Sequence, residues 1–216
     1  MKKKLAVATS IVLAIIAFSA APLHAAISKS VVQNAWTAIA AAAGMKAIPI
    51  TYEEEKAPNA WVRFQSANNF SVHVTKGLMQ VLNSPDEIAG VLGHEMGHVK
   101  KGHYNKSVQR NVGWSILGSL LGRAGGVAEV AGAVGMNLAE SGFSREQEVE
   151  ADDYGMDLAV KAGYSPWGLY YAMKSFKDNG FKTEPSGFNS HPPTDRRLQH
   201  LQDRARKILS NTPHSK

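Results

Sequence analysis

Residues 93–99 read Gly-His-Glu-Met-Gly-His-Val, and no other stretch constrains the chain as strongly. His94 and His98 are four apart, so on an α-helix they share a face and can both direct a ring nitrogen at one metal ion, at the spacing a catalytic zinc site uses. Glu95 stands about 100° further round such a helix. From there it is poorly placed to join the histidines as a ligand, but it can hydrogen-bond a water on the metal and act as general base. The preceding Ala89-Gly90-Val91-Leu92 keeps one side small or apolar. The pattern describes a core helix carrying polar groups.

Local signals place this helix among its neighbours. Ser84 reads as an N-cap, Pro85 fits the first helical position and Glu87 completes a capping box, so the helix runs to about Lys101 and stops at Gly102. Residues 26–43 are alanine-rich, with Val31, Val32, Trp36 and Ile39 spaced as one helical face and Gly44 as C-cap. Residues 47–52 form a short strand candidate in which Pro49 favours an edge or strand start, and Glu53-Glu54-Glu55 reads as a solvated turn. Residues 59–65 and 70–75 alternate and are joined by Ser66-Ala67-Asn68-Asn69, which predicts a hairpin within a small antiparallel sheet. A short helix follows over residues 76–82.

Residues 111–142 are rich in glycine, alanine and leucine; their longest uncharged run, 111–122, is too short to span a bilayer. They read as two buried or membrane-facing helices hinged near Gly125-Gly126 that serve packing or an oligomer contact, with a mobile lid or a peripheral membrane contact as the alternative. Ser144-Arg145-Glu146-Gln147 is a second capping box, opening a helix that carries Glu148, Ala151, Asp152 and Leu158 and ends at Gly163. Ser165-Pro166 starts the next helix, through Tyr170 and Phe176. After a loop over residues 181–193, Thr194 caps an amphipathic closing helix with Leu198, Leu201 and Ile208 on its apolar side. The fold class is α+β and mainly helical.

A chain of 216 residues with 44% hydrophobic content fits one domain with an ample core. Lys2-Lys3-Lys4, an apolar run over residues 5–21 and Pro22-Leu23-His24-Ala25 have the three-part layout of a secretory signal peptide, with cleavage expected before Ala26. The expected organisation is therefore a signal over 1–25 and a single domain over 26–216. Losing the signal removes three lysines and no acid, which halves the formal net charge of +6. That modest basicity does not suggest a nucleic-acid binder. With no cysteine, the chain has no disulfide and no N-terminal lipid attachment through a thiol, so its stability rests on its core or its metal. A bacterial periplasm is the natural compartment, with secretion into the medium as the alternative.

A catalytic zinc needs a third protein ligand and an open position for water. Glu148 is the best candidate, because Asp152 four residues on can accept a hydrogen bond from the second nitrogen of a ligating histidine. On chemistry alone Glu146 and Glu150 compete with it. His73 reads as a substrate-groove or surface residue and His103 as structural.

The segment Phe143-Ser144-Arg145-Glu146-Gln147-Glu148-Val149-Glu150-Ala151-Asp152 resembles the Ser-Arg-x-x-Glu-x-x-Ala-Asp element of the zinc metallopeptidases of family forty-eight, and His94-Glu95-Met96-Gly97-His98 resembles their zinc helix. Asn59-Ala60-Trp61, Gly77-Leu78-Met79 and Ser190-His191-Pro192-Pro193-Thr194 with Arg197 are similar to further elements of that family. The resemblance covers roughly residues 46–201 and is to a small branch lacking the transmembrane helices of the prenyl and heat-shock proteases. It implies a zincin-like core with one Zn2+ per chain held by His94, His98 and Glu148, the last selected over its neighbours. It further implies Asp152 behind the ligands, Glu95 as base, and a metalloendopeptidase acting on protein or peptide substrates, including misfolded envelope proteins. His191 and Arg197 are then the catalytic candidates for stabilising the oxyanion. In some family members the matching histidine closes the open position, which makes a latent or chaperone-like zinc protein the alternative. Substrate is expected in extended form against Phe70 to Val74 as an edge strand, with Asn59, Ala60, Phe70 and Val72 as contacts. Trp61 replaces the family's phenylalanine, and Ala67-Asn68-Asn69 replaces a glycine-containing turn.

Overall fold

A computed structural model describes residues 26–66, 69–104, 143–180, 191 and 194–211. The expected signal over 1–25, the helices expected within 111–142 and most of the 181–193 loop lie outside the described residues. In chain order the elements are α1 (Lys29–Ala42), β1 (Ile50–Glu53), β2 (Ala60–Ser66), β3 (Asn69–Thr75), α2 (Lys76–Val81), α3 (Pro85–Lys100), α4 (Arg145–Lys161), α5 (Gly168–Asp178) and α6 (Asp195–Asn211).

Helix α3 is the axis of the fold: every residue from Glu87 to Val99 is buried. Its start keeps the expected cap and proline, but Glu87 closes on the Asn83 amide and not on that of Ser84, so the expected box is not formed in full. Ser84 Oγ accepts the Glu87 amide at 3.3 Å, Pro85 opens the first turn, and the Glu87 carboxylate accepts the Asn83 amide at 3.1 Å. At its other end Gly102 takes φ +66°, a conformation that only glycine adopts cheaply, and turns the chain back beneath the helix. Around α3 pack α1, α4, α5 and β2. The apolar core includes Trp36 and Ile39 of α1, Val72 and Val74 of β3, Leu92 and Met96 of α3, and Met173 and Phe176 of α5.

The α3–α4 contact is close enough to be made only by small residues. A Cβ on Gly93 would lie 2.6 Å from the Gly155 carbonyl oxygen, and one on Gly97 would lie 2.6 Å from that of Ala151. A glycine inside a helix costs about 0.5–1 kcal/mol relative to alanine. Here that cost is offset by bringing two backbones together along the length that carries His94 and His98 on one side and Glu148 and Asp152 on the other.

The sheet corrects one expectation. The hairpin β2–β3 is antiparallel, as predicted, but β1 joins the other side of β3 in parallel, with Ile50 opposite Val72 and Thr51 opposite His73. The three-stranded sheet is therefore mixed, in the order β1-β3-β2. Strand β3 is central: β2 pairs along it on one side and β1 covers Val72 to Thr75 on the other, so residues 72–74 are not an edge on which substrate can pair. Val72 is fully buried in the core, and Phe70 is half-buried, paired in register with Phe64. Pro49 does precede an edge strand, β1.

His73 is likewise neither a groove nor a surface residue. It is 5% exposed, lies flat against Trp61 with ring centroids 4.9 Å apart, and bridges Glu53 and Ser71 at 2.8 Å each. Glu53 thus belongs to β1 and pairs with His73, and is no part of a solvated turn. Among the described residues no helix is long and apolar enough to cross a membrane.

Candidate metal centre

Two capping motifs deliver the polar groups. Ser144 accepts the Gln147 amide while the Gln147 side chain accepts the Ser144 amide, a full capping box that starts α4 one turn before Glu148 and two turns before Asp152. Thr194 Oγ1 accepts the Arg197 amide at 3.2 Å and starts α6, so Arg197 projects from a first turn onto α4. Helix α6 is held there by ion pairs along its length, Arg197 with Asp152, His200 with Asp153, and Arg204 with Asp157.

The side chains of His94, His98, Glu148 and His191 converge, each offering one ligand atom, all within 4.8 Å of one another and all buried. His94 Nε2 lies 3.1 Å from His98 Nε2 and 3.0 Å from His191 Nδ1. Glu148 Oε1 lies 3.4 Å from His98 Nε2 and 2.8 Å from His191 Nδ1. Tetrahedral zinc with bonds near 2.0–2.1 Å sets its ligands about 3.3 Å apart, so the spacing fits this ion. The chemistry fits too, since imidazole lone pairs and a carboxylate drawn together away from water call for a cation among them. Glu148 Oε2 and Glu95 Oε1 are buried with no hydrogen-bond partner of good geometry among the described residues.

Behind the ligands, His94 Nδ1 meets Asp152 Oδ1 at 2.8 Å, which leaves Nε2 as the lone pair that faces the cluster. Asp152 is gripped in turn by Arg197, through Nε at 2.8 Å and Nη2 at 2.6 Å, while Arg197 Nη1 donates to the His191 carbonyl at 2.9 Å and lies 3.0 Å from Glu148 Oε2. Burial alone would raise the Asp152 carboxyl, but Arg197 and His94 outweigh it and hold the group at about 2. Glu148 follows the same logic: burial pushes it up, and the charges of His191 and Arg197 bring it well below the usual carboxylate range. Glu95 behaves oppositely, since its burial prevails over the neighbouring histidines and raises it. His98 is pushed well down by burial.

The structure gathers His94, Glu95, His98, Glu148, Asp152, His191 and Arg197 into this one cluster. Glu146 is away from it, and Glu150 reaches His103 at 3.1 Å. Asn59 stands at the entry to β2, with its amide nitrogen bound to Thr75 Oγ1 at 2.9 Å and its side-chain Oδ1 buried without a partner. Ala60 is wholly buried at the start of β2.

Three neighbours carry contacts to the cluster that sequence reasoning did not foresee, His103 having been read as structural only. Tyr104 donates to Glu95 Oε2 at 3.4 Å, and its hydroxyl is also hydrogen-bonded by the Val62 backbone of β2. Phe143 stacks on His98 with ring centroids 3.9 Å apart. His103 lies against the far nitrogen of His98. Their common signal was position: each flanks a motif by a few residues.

A profile described as "Peptidase family M48" matches residues 26–205. The chain is 36% identical over 141 residues to the metalloprotease LoiP of Escherichia coli, an alignment covering 63% of this chain and 56% of that protein. It is 36% identical over 152 residues to the metalloprotease YcaL of Escherichia coli, covering 68% and 58%. A protease HtpX homologue of Thermococcus sibiricus is 28% identical over 219 residues, covering 80% and 72%. The chain thus spans less than three fifths of the length of the first two relatives.

Proposed function

Because the chain belongs to peptidase family M48, we propose that it is a zinc-dependent metalloendopeptidase that cleaves misfolded or envelope proteins, exported to the periplasm by residues 1–25. The observation carrying the chemistry is the convergence of His94, His98 and Glu148 beside a buried Glu95. His94, His98 and Glu148 would hold the zinc ion, which when bound supplies Lewis acidity and lowers the pKa of a water to about 7. Glu95 takes the proton of the attacking water and returns it to the departing amine nitrogen. Tyr104 fixes the other Glu95 oxygen. Arg197 spends its donors on Asp152, Glu148 and the His191 carbonyl, so it positions the ligands and leaves the oxyanion to His191. An extended substrate pairs with β2, the strand bordering α3, and begins near Asn59.

One observation favours a second reading. His191 Nδ1 occupies the fourth corner of the cluster, 2.8 Å from Glu148 Oε1. In that state water has no open position, and the protein is a latent or chaperone-like zinc binder until His191 withdraws. Casein digestion by the wild type, Glu95→Gln, His191→Ala and a chelator-treated sample separates the two. Cleavage lost in Glu95→Gln and on chelation supports the peptidase; cleavage present only in His191→Ala supports latency. No cleavage by any of them, with zinc bound, refutes the enzyme.

A further inference from the structure

Each ligating histidine has a second ring nitrogen, and the two are held differently. His94 Nδ1 goes straight to Asp152. His98 Nδ1 instead faces His103 Nδ1 at 3.0 Å, and His103 Nε2 faces Glu150 Oε2 at 3.1 Å. His103 is fully buried, whereas the Glu150 side chain is 45% exposed.

The protons of this row can be assigned from its outer end. An ionised carboxylate only accepts, so in the neutral imidazole the His103 proton is on Nε2 and its Nδ1 carries a lone pair. That lone pair accepts from His98 Nδ1–H, which leaves the lone pair of His98 on Nε2, the nitrogen turned toward His94 and Glu148. The turn at Gly102, with φ +66°, is what brings His103 back under His98. We infer that His103 and Glu150 form a positioning relay that fixes the tautomer and ring orientation of His98 for metal binding. Resting on the metallopeptidase reading, the relay makes α4 the source of both supports: Asp152 for His94 directly, Glu150 for His98 through an intervening imidazole.

The test is zinc affinity of the full chain, measured by competition with a chromophoric chelator, beside the melting temperature of the metal-free protein. His103→Leu fills the space without an acceptor; His103→Asn restores an oxygen near the Nδ1 position; Glu150→Ala removes the outer end at a half-exposed site. Loss of such an outer partner weakens metal binding about 10–100-fold, so His103→Leu should fall in that range without a lower metal-free melting temperature. His103→Asn should recover most of the affinity, and Glu150→Ala should lose part of it. Wild-type affinity in folded His103→Leu overturns the relay, as does an asparagine variant no better than leucine. If His103→Leu does not fold, unchanged affinity in Glu150→Ala overturns it. A wild type that takes up no zinc overturns the metallopeptidase reading itself, and the relay with it.

Discussion

Glu95 is wholly buried, with Oε2 held by the Tyr104 hydroxyl and Oε1 without a hydrogen bond, 3.7 Å from His191 Nε2. The isosteric Glu95→Gln keeps the shape and removes the base, so peptide hydrolysis should fall about 10²–10⁴-fold while zinc content stays at the wild-type level. Asp152 acts through charge. In the metal-free protein its carboxyl is held at about 2, below the unfolded value of about 3.9. A group depressed in this way contributes stability that is fully present above its unfolded value and is lost as pH falls through the folded one. Acid denaturation of the metal-free chain should therefore show a loss of about 2 kcal/mol between roughly pH 4 and pH 2. Urea midpoints measured across that window should flatten in Asp152→Asn, and a wild-type midpoint that does not change there would remove Asp152 from the account. His94 and His98 were legible because their spacing is local to one helix, whereas Glu148 stands on another and was selected over Glu146 and Glu150 through the family resemblance. His103 was not, since its role depends on a turn that reverses the chain after the helix has ended.

At the level of elements, the seam between α3 and α4 decides whether a site exists at all. Gly155 faces Gly93, and an added Cβ would approach the Gly93 carbonyl carbon and the His94 amide nitrogen at 2.6 Å each. These are backbone atoms and cannot swing aside. Gly155→Ala should cost about 1–3 kcal/mol as overpacking, and it should also weaken zinc binding, because it drives Glu148 and Asp152 away from the histidines. Calorimetry and zinc titration on the one variant check both; a destabilised protein with unchanged zinc affinity would show that the site tolerates the displacement. The N-cap at Ser84, the capping box at Ser144 and the glycine stops at Gly102 and Gly163 were readable because they concern neighbours along the chain. The parallel partner of β3 was not, because strand order is set by which edges meet in space, and β1 carries no local mark of its direction.

For the molecule as a whole, a metal bound to the native state and not to the unfolded chain adds RT ln(1 + [Zn]/Kd) to stability, about 4 kcal/mol at a thousandfold excess over Kd. Thermal melts in zinc and in chelator should differ accordingly, and coincident melts would mean that the cluster is not a metal site. The centre also has a particular position along the chain. Tyr104 and Phe143 close a gap in sequence, with their rings 5.3 Å apart and perpendicular beside His98. Residues 104 and 143 therefore meet in space beside the cluster. The stretch that carries His94 and His98 and the stretch that carries Glu148 are thus joined in space at their near ends by one aromatic contact, which any change that parts those two rings would carry straight to the metal cluster.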